Sequence, residues 1–327
     1  MKTLLTAALI LSIGAAVTLG PADLSLGTVW TVVAGHLGLT EPSVPLLRDH
    51  IVWQLRLPRA LGAAVVGAGL AVTGAVMQTV TRNSLADPYL LGVSSGAALG
   101  AVGVIVLGLA HGVAALTAGA FLGALLAFGV VVALAGGSSP TRVVLAGVAI
   151  GQLCAAVTSF VVIWAAEPHA TQSITFWLSG SLARVDWTAL AWASATLAAT
   201  LGVVLLKARA LNAFAFGEEA AASLGVDVGR VRWLLLVTTA LLTAVLVAIS
   251  GAIGFVGLII PHAVRFLTGP DHRRVLPVVA LAGAIFLVWV DTAARTVFEP
   301  RELPVGVLTA ILGVPAFAFL LRRGGTR

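Results

Sequence analysis

The chain has 327 residues, 59% of them apolar and only 10% charged, with a formal net charge of +6, whereas a soluble domain carries about 25% charged residues. That balance excludes a disordered chain, a basic nucleic-acid module and an ordinary soluble enzyme, and it places the chain in a bilayer. The single cysteine, Cys154, excludes a disulfide framework and a multi-cysteine metal site.

A helix crosses a hydrocarbon core of ~30 Å with about 20 residues. Taken in chain order, that measure predicts spans over 3–20, 58–80, 89–110, 113–135, 142–166, 187–206, 232–251, 254–268, 275–296 and 303–321. The expected fold class is an all-α integral membrane protein with about ten transmembrane helices. The first stretch, Thr3 to Gly20, competes with a cleaved signal peptide, but no Ala-x-Ala site follows it and a retained helix is expected. The 54 residues between Asp87 and Arg142 carry no charge and hold two crossings, with the break near His111 and Gly112. The stretch 254–268 is short, contains Pro261 and is expected to be bent or partly re-entrant.

With both ends inside, 13 of the 19 basic residues are cytoplasmic and Arg48, Arg56, Arg59, Arg184, Arg295 and Arg301 are outside, as the positive-inside bias requires. Two long polar connections remain, 21–56 outside and 207–231 inside. Small residues at helical spacing, Gly92, Gly96 and Gly100 among them, with Gly119 and Gly123, Gly147 and Gly151, and Gly67 with Ala71 and Ala75, predict close helix seams.

Chemistry-bearing motifs are few. The only lysines are Lys2 and Lys207 and no phosphate-binding loop is present, so the chain has no recognisable means of cradling ATP. The six histidines show no metal-ligand spacing, and no metal site is expected. Gly92-Val93-Ser94-Ser95-Gly96 matches the nucleophile elbow of hydrolases, making an intramembrane serine hydrolase on Ser94 one alternative. A secondary carrier is the other, disfavoured because the spans hold no chain of acids or histidines for proton relay. Asp291 and Arg295 stand i and i+4 with the acid first, which lets them pair. Arg56 and Arg59 flank Leu57-Pro58 at the start of the second span. Together with Arg295 they form a basic rim that suits a soluble protein with surface carboxylates.

Within 207–231, Gly217-Glu218-Glu219-Ala220-Ala221-Ala222-Ser223-Leu224-Gly225 predicts a short helix with acids at its N-terminus and a glycine stop. Its Glu-Ala-Ala-x-x-x-Gly pattern from Glu219 to Gly225 resembles the cytoplasmic coupling loop of ATP-binding-cassette importers. Several further segments look like the same source: Arg56-Leu-Pro-Arg59, Gly74-Ala-Val-Met-Gln78, Arg82-Asn-Ser-Leu-Ala-Asp-Pro88, Leu91-Gly-Val-Ser-Ser-Gly-Ala97, Leu145-Ala-Gly-Val148, Gly254-Phe-Val-Gly-Leu-Ile-Ile-Pro-His262 and Glu302-Leu-Pro-Val-Gly306. In that order, they resemble the FecCD-type permeases that import ferric siderophores, haem or cobalamin.

The resemblance implies a type II importer permease fold and one transmembrane domain over 1–327. It implies a multi-pass subunit of a bacterial cytoplasmic membrane, with both termini cytoplasmic. Implied partners are a second permease chain, identical or paralogous, two ATP-binding subunits that hold ATP and Mg, and an external substrate-binding protein. No cofactor is implied in this chain, and it is not an enzyme itself. The first-ranked cargo is a ferric siderophore, then haem or cobalamin. By position, Arg56, Arg59 and Arg295 resemble the arginines that dock the binding protein, and Gly217, Glu218, Glu219, Ala220, Ala221 and Gly225 the ATPase-coupling loop. Asn83, Ser84 and Leu85 with Pro140 and Thr141 resemble the cytoplasmic gate, where Ser84 replaces the family's usual proline. Gly147, Gly151 and Thr158 would line the pathway, beside a short external helix that includes Phe176 to Ser181.

Overall fold

The protein is described by a computed structural model that covers residues 1–20, 22, 24–40, 44–108, 112–136, 140–165 and 168–324; no strand occurs among them. In chain order the helices are α1 (Lys2–Thr18), α2 (Leu26–His36) and α3 (Leu46–His50), the last continuing through a π-helical turn over Ile51–Arg56 into α4 (Leu57–Val80). A 3-10 turn over Pro88–Leu91 leads to α5 (Val93–Leu107), α6 (Val113–Ala135), α7 (Pro140–Ala165), α8 (Pro168–Leu178) and α9 (Trp187–Leu206). Two short helices, α10 (Ala208–Phe214) and α11 (Glu218–Ser223), precede α12 (Val228–Ser250), α13 (Val256–Thr268), α14 (His272–Thr296) and α15 (Val305–Gly324).

Among the described residues, six helical stretches are long and apolar enough to cross a membrane: Leu46–Val80, Val113–Ala135, Thr141–Trp164, Trp187–Leu206, Val228–Ser250 and His272–Thr296. Four shorter apolar helices, Lys2–Thr18, Val93–Leu107, Val256–Thr268 and Val305–Phe319, complete the set. These segments agree with the stretches predicted from hydropathy to within a few residues, except that the helix predicted over 58–80 starts at Leu46, inside the connection expected to be polar. The break expected near His111 falls between α5 and α6, although His111 itself lies outside the described residues. The described residues of the connection expected over 21–56 include α2, α3 and the π-helical turn rather than a polar loop alone. Ser25 caps α2 by accepting from Thr28 N at 3.1 Å, and His36 pairs with Asp49 at 3.0 Å while stacking on Trp53.

The core is organised around α4, which is buried over nearly its whole length between α14, α13, α12 and α9. Apolar side chains gain little by leaving lipid for one another, so close backbone approach supplies the contact energy. A Cβ on Gly67 would stand 2.2 Å from Gly283 O, and one on Gly74 only 1.9 Å from Gly257 O. The predicted α5–α6 seam forms in the same way, with the Cβ position of Gly100 lying 2.1 Å from Gly119 O and that of Gly96 2.5 Å from Gly123 O.

α13 has 13 residues and therefore rises about 20 Å, short of a hydrocarbon core of ~30 Å. It begins at the non-helical stretch 251–255, where Phe255 adopts φ +68°, a conformation that is an outlier for a bulky side chain. The stretch expected to be bent or re-entrant is thus a helix too short to span that core by itself, entered through strained backbone.

Candidate functional site

Polar side chains gather at the two ends of α4. At its N-terminal end Arg56, Arg59 and Arg295 do not form the exposed rim expected of them: they are 7%, 9% and 5% exposed. Arg56 donates from Nη1 to the carbonyls of Val17 and Thr18 at 2.9 and 3.0 Å, and from Nη2 to Ala22 at 2.9 Å. Arg295 donates to Leu19 O at 2.9 Å and to Ala16 O. The last carbonyls of a helix have no intrahelical partner and form the negative end of its dipole, so the end of α1 draws both guanidiniums inward. Gly20 leaves them room; at φ +143°, a Cβ there would stand 2.9 Å from Arg56 Nη2.

Asp291 is 1% exposed and its hydrogen-bonded partner is Arg59, whose Nε reaches both carboxylate oxygens at 3.0 and 3.1 Å. The expected i,i+4 pair is only partly realised. Arg295 Nε stays 3.6 Å from Asp291, because its terminal nitrogens are held by α1. Arg59 also donates from Nη1 to Glu302 at 3.0 Å. Glu302, whose side chain is 42% exposed, is the group of this cluster that faces outward.

At the other end of α4, Arg82 N bonds Thr79 O at 3.3 Å and Asn83 N bonds Gln78 O at 3.1 Å. This double closure is the Schellman stop, with Arg82 at φ +51° where glycine is usual. Asn83 Oδ1 then accepts from Leu85 N at 2.9 Å, turning the loop, and Ser84 and Leu85 are exposed. Asp87 caps the following 3-10 turn by accepting from Tyr89 N at 2.9 Å. Burial pushes its carboxyl up to about 6.

The predicted short helix is present as α11, with Gly217 and Gly225 at φ +109° and +80° on either side. Glu218 pairs with Arg232 of α12 and fixes the helix there. Ala221 is buried, Ala220 is half-buried, and Glu219 and Gly225 are exposed. Phe216 and Leu224, which sequence reasoning passed over, are 79% and 71% exposed on either side of α11. Their signal was two large apolar residues, each beside a glycine, flanking the short acidic helix. The loop after α4 and this segment meet, since the Cβ position of Gly217 lies 3.7 Å from Arg82 Nη1.

A polar chain that sequence reasoning also missed ties these parts together. Asn212 of α10 accepts from His272 N at 2.9 Å and lies 2.7 Å from His272 Nδ1. His272 Nε2 is 2.8 Å from Thr79 Oγ1, and Arg265 of α13 donates to Thr79 Oγ1 at 3.2 Å and to Gln78 Oε1 at 2.7 Å. Gln78 in turn donates to Leu258 O at 3.1 Å. Residues 212, 272, 79, 265 and 78 come from four helices, and nothing in their spacing announces the contact.

On α7, Gly147 packs against the 3-10 turn, its Cβ position 1.9 Å from Leu90 O, while that of Gly151 is 3.6 Å from Ser95 Oγ. Thr158 is buried and donates to Cys154 O at 2.7 Å. These three residues therefore face their own subunit. The opposite face, with Leu145, Val148, Leu153, Phe160 and Trp164, is uncovered. Thr141 is exposed, Pro140 is the first residue of α7 with its side chain outside the described atoms, and no contact brings either to Asn83–Leu85 among the described residues. Ser94 opens α5 without a hydrogen bond to a histidine or acid among the described residues.

The family model of the FecCD transport family matches residues 5–323. The chain is 47% identical over 283 residues to the cobalamin import system permease protein of Halobacterium salinarum, covering 85% of this chain and 75% of that one. It is 40% identical over 328 residues to the hemin transport system permease protein of Yersinia pestis, covering 98% and 94%. A solved structure of a metal-chelate type ABC transporter in an inward-facing conformation superposes with a TM-score of 0.87 at 32% identity, covering 98% of both chains.

Proposed function

Because the chain belongs to the FecCD transport family, we propose that it is the permease subunit of an ATP-binding-cassette importer and moves a large metal chelate inward by alternating access. The whole chain acts as one permease domain. The cargo class, a ferric siderophore, haem or a corrinoid, rests on the relatives that carry hemin, hydroxamate-bound iron and cobalamin. The observation that carries the assignment is the family match together with α11, a short helix presented to solvent between Phe216 and Leu224 in a chain without its own phosphate loop.

In this reading α11 inserts into a groove of a separate ATPase, where ATP and Mg reside. Glu219, Phe216 and Leu224 make the contact, while Glu218 and Ala221 hold the helix to the bundle. Basic-residue placement supports cytoplasmic termini and a cytoplasmic 207–231. The loop Asn83–Leu85, touching that segment through Arg82 and Gly217, forms the gate with the start of α7 at Pro140 and Thr141. The uncovered faces of α7 and α15 meet a second permease chain and line the pathway between the two. Gly147, Gly151 and Thr158 set the position of α7 from behind.

An external binding protein docks at the Arg59 end. Arg56 and Arg295 hold that end in shape, and Arg59 exchanges its Glu302 partner for a carboxylate of the binding protein. Such an exchange leaves Asp291 paired and avoids the cost of a buried uncompensated charge.

The test is ATP-driven uptake in proteoliposomes with the cognate ATPase and binding protein. Glu219→Lys and Leu224→Asp are expected to insert normally, leave binding-protein docking unchanged and abolish uptake. Full uptake by both variants overturns the coupling assignment.

A further inference from the structure

α6 and α9 each pack on α12 and leave between them a groove of about 640 Å³ with α12 as its floor. Its wall is mostly apolar, from Phe121 on α6 and Trp192 on α9 to Leu241 and Val245 on α12, with Thr117, Thr188 and Thr196 interspersed. On α9 the lining runs from Asp186 to Thr196, about 15 Å at 1.5 Å per residue, which is one leaflet of a ~30 Å core. A mostly apolar lining of this length suits alkyl chains.

Charge is confined to one mouth. Asp186 lines the groove there, with Oδ1 accepting from Ala189 N at 2.7 Å as the cap of α9 and its second oxygen open. Arg184 lines an adjoining cavity that shares Val113, Thr117, Ala248 and Ile249 with the groove. It is exposed and has no carboxylate partner among the described residues. Two opposite charges two residues apart, at the membrane-surface end of a leaflet-deep apolar slot, complement a headgroup that carries both a phosphate and an ammonium.

We propose that this groove is a binding site for one phospholipid with a zwitterionic amine headgroup, its acyl chains between α6 and α9, its phosphate at Arg184 and its ammonium at Asp186. The proposed orientation makes this the outer leaflet; the lipid contact does not depend on it.

Native mass spectrometry of the detergent-purified chain, incubated with phosphatidylethanolamine or phosphatidylglycerol of matched acyl chains, tests the site. The expected result is one retained phosphatidylethanolamine per chain and about tenfold weaker retention of phosphatidylglycerol. Ala189→Trp, which fills the groove, abolishes retention. Asp186→Asn keeps a competent helix cap and removes the ammonium's partner, so it abolishes the preference while the chain stays folded. Equal retention of the two lipids by the natural chain, or an unchanged preference in Asp186→Asn, overturns the proposal even if Ala189→Trp fails to fold.

Discussion

Asp291 is enclosed between Arg59 and Arg295 with 1% of its surface exposed. Removing one partner of a buried ion pair leaves the other charge uncompensated, a loss of about 3–5 kcal/mol. Asp291→Asn is expected to lower unfolding stability by that order in detergent, measured by thermal or denaturant melting, whereas Arg301→Gln, at an exposed position, is expected to leave it unchanged. Asp87 differs, because burial raises its carboxyl from 3.8 to about 6. A raised carboxyl favours the folded state when protonated. Its contribution is full below the ordinary carboxylate range and is lost as pH rises through about 6. Melting between those limits is expected to show falling stability with rising pH, and Asp87→Asn, still able to cap Tyr89 N, is expected to flatten that slope.

Helix contacts divide the glycines by what stands opposite. A Cβ on Gly74 meets the backbone of α13 at 1.9 Å, while one on Gly103 of α5 meets nothing within 4 Å. Gly74→Ala must separate α4 from α13 and is expected to reduce both the yield of folded protein and its melting temperature. Gly103→Ala is expected to be tolerated, with helix propensity favouring alanine by about 1 kcal/mol. Strain is concentrated where elements break: Arg82 ends α4 and Phe255 starts α13, both at positive φ, and such backbone persists only where surrounding packing enforces it. Phe255 is enforced by α15, since the Cβ position of Gly313 lies 2.6 Å from its Cβ.

α4 spans the distance between the two polar clusters, so both ends of the molecule act on one rigid rod. At the Arg59 end, Glu302→Gln removes the internal competitor for Arg59. It is expected to tighten docking of the binding protein, measured by surface plasmon resonance, while leaving the Arg59–Asp291 pair in place. At the other end, the hydrogen-bonded path through Asn212, His272, Thr79 and Arg265 connects α10 to α14, α4 and α13. Asn212→Ala opens that path without touching α11. It is expected to lower uptake per ATP hydrolysed while ATPase binding, read by co-purification, persists.

How the chain partitions was written in its composition. Uncharged runs of crossing length, the short Pro261 stretch and the glycine spacings anticipated the apolar helices, the short α13 and the α5–α6 seam, because desolvating backbone and charge in hydrocarbon leaves a chain few alternatives. α11 was legible too, from acids at its start and glycine at its end. Spacing could not say which way a guanidinium turns. Arg56, Arg59 and Arg295 read as a rim and are buried, since their partners are the carbonyls ending α1 and an aspartate 232 residues from Arg59. Gly147 and Gly151 likewise face inward because that side of α7 packs on the turn at Leu90 and on α5, and Thr158 on the same side is buried. The polar path through His272 depends on four helix ends meeting, and the leaflet-deep groove on α6 and α9 standing apart over α12. Local physics decides what enters the membrane, and only the packing of distant segments decides which polar group finds which partner.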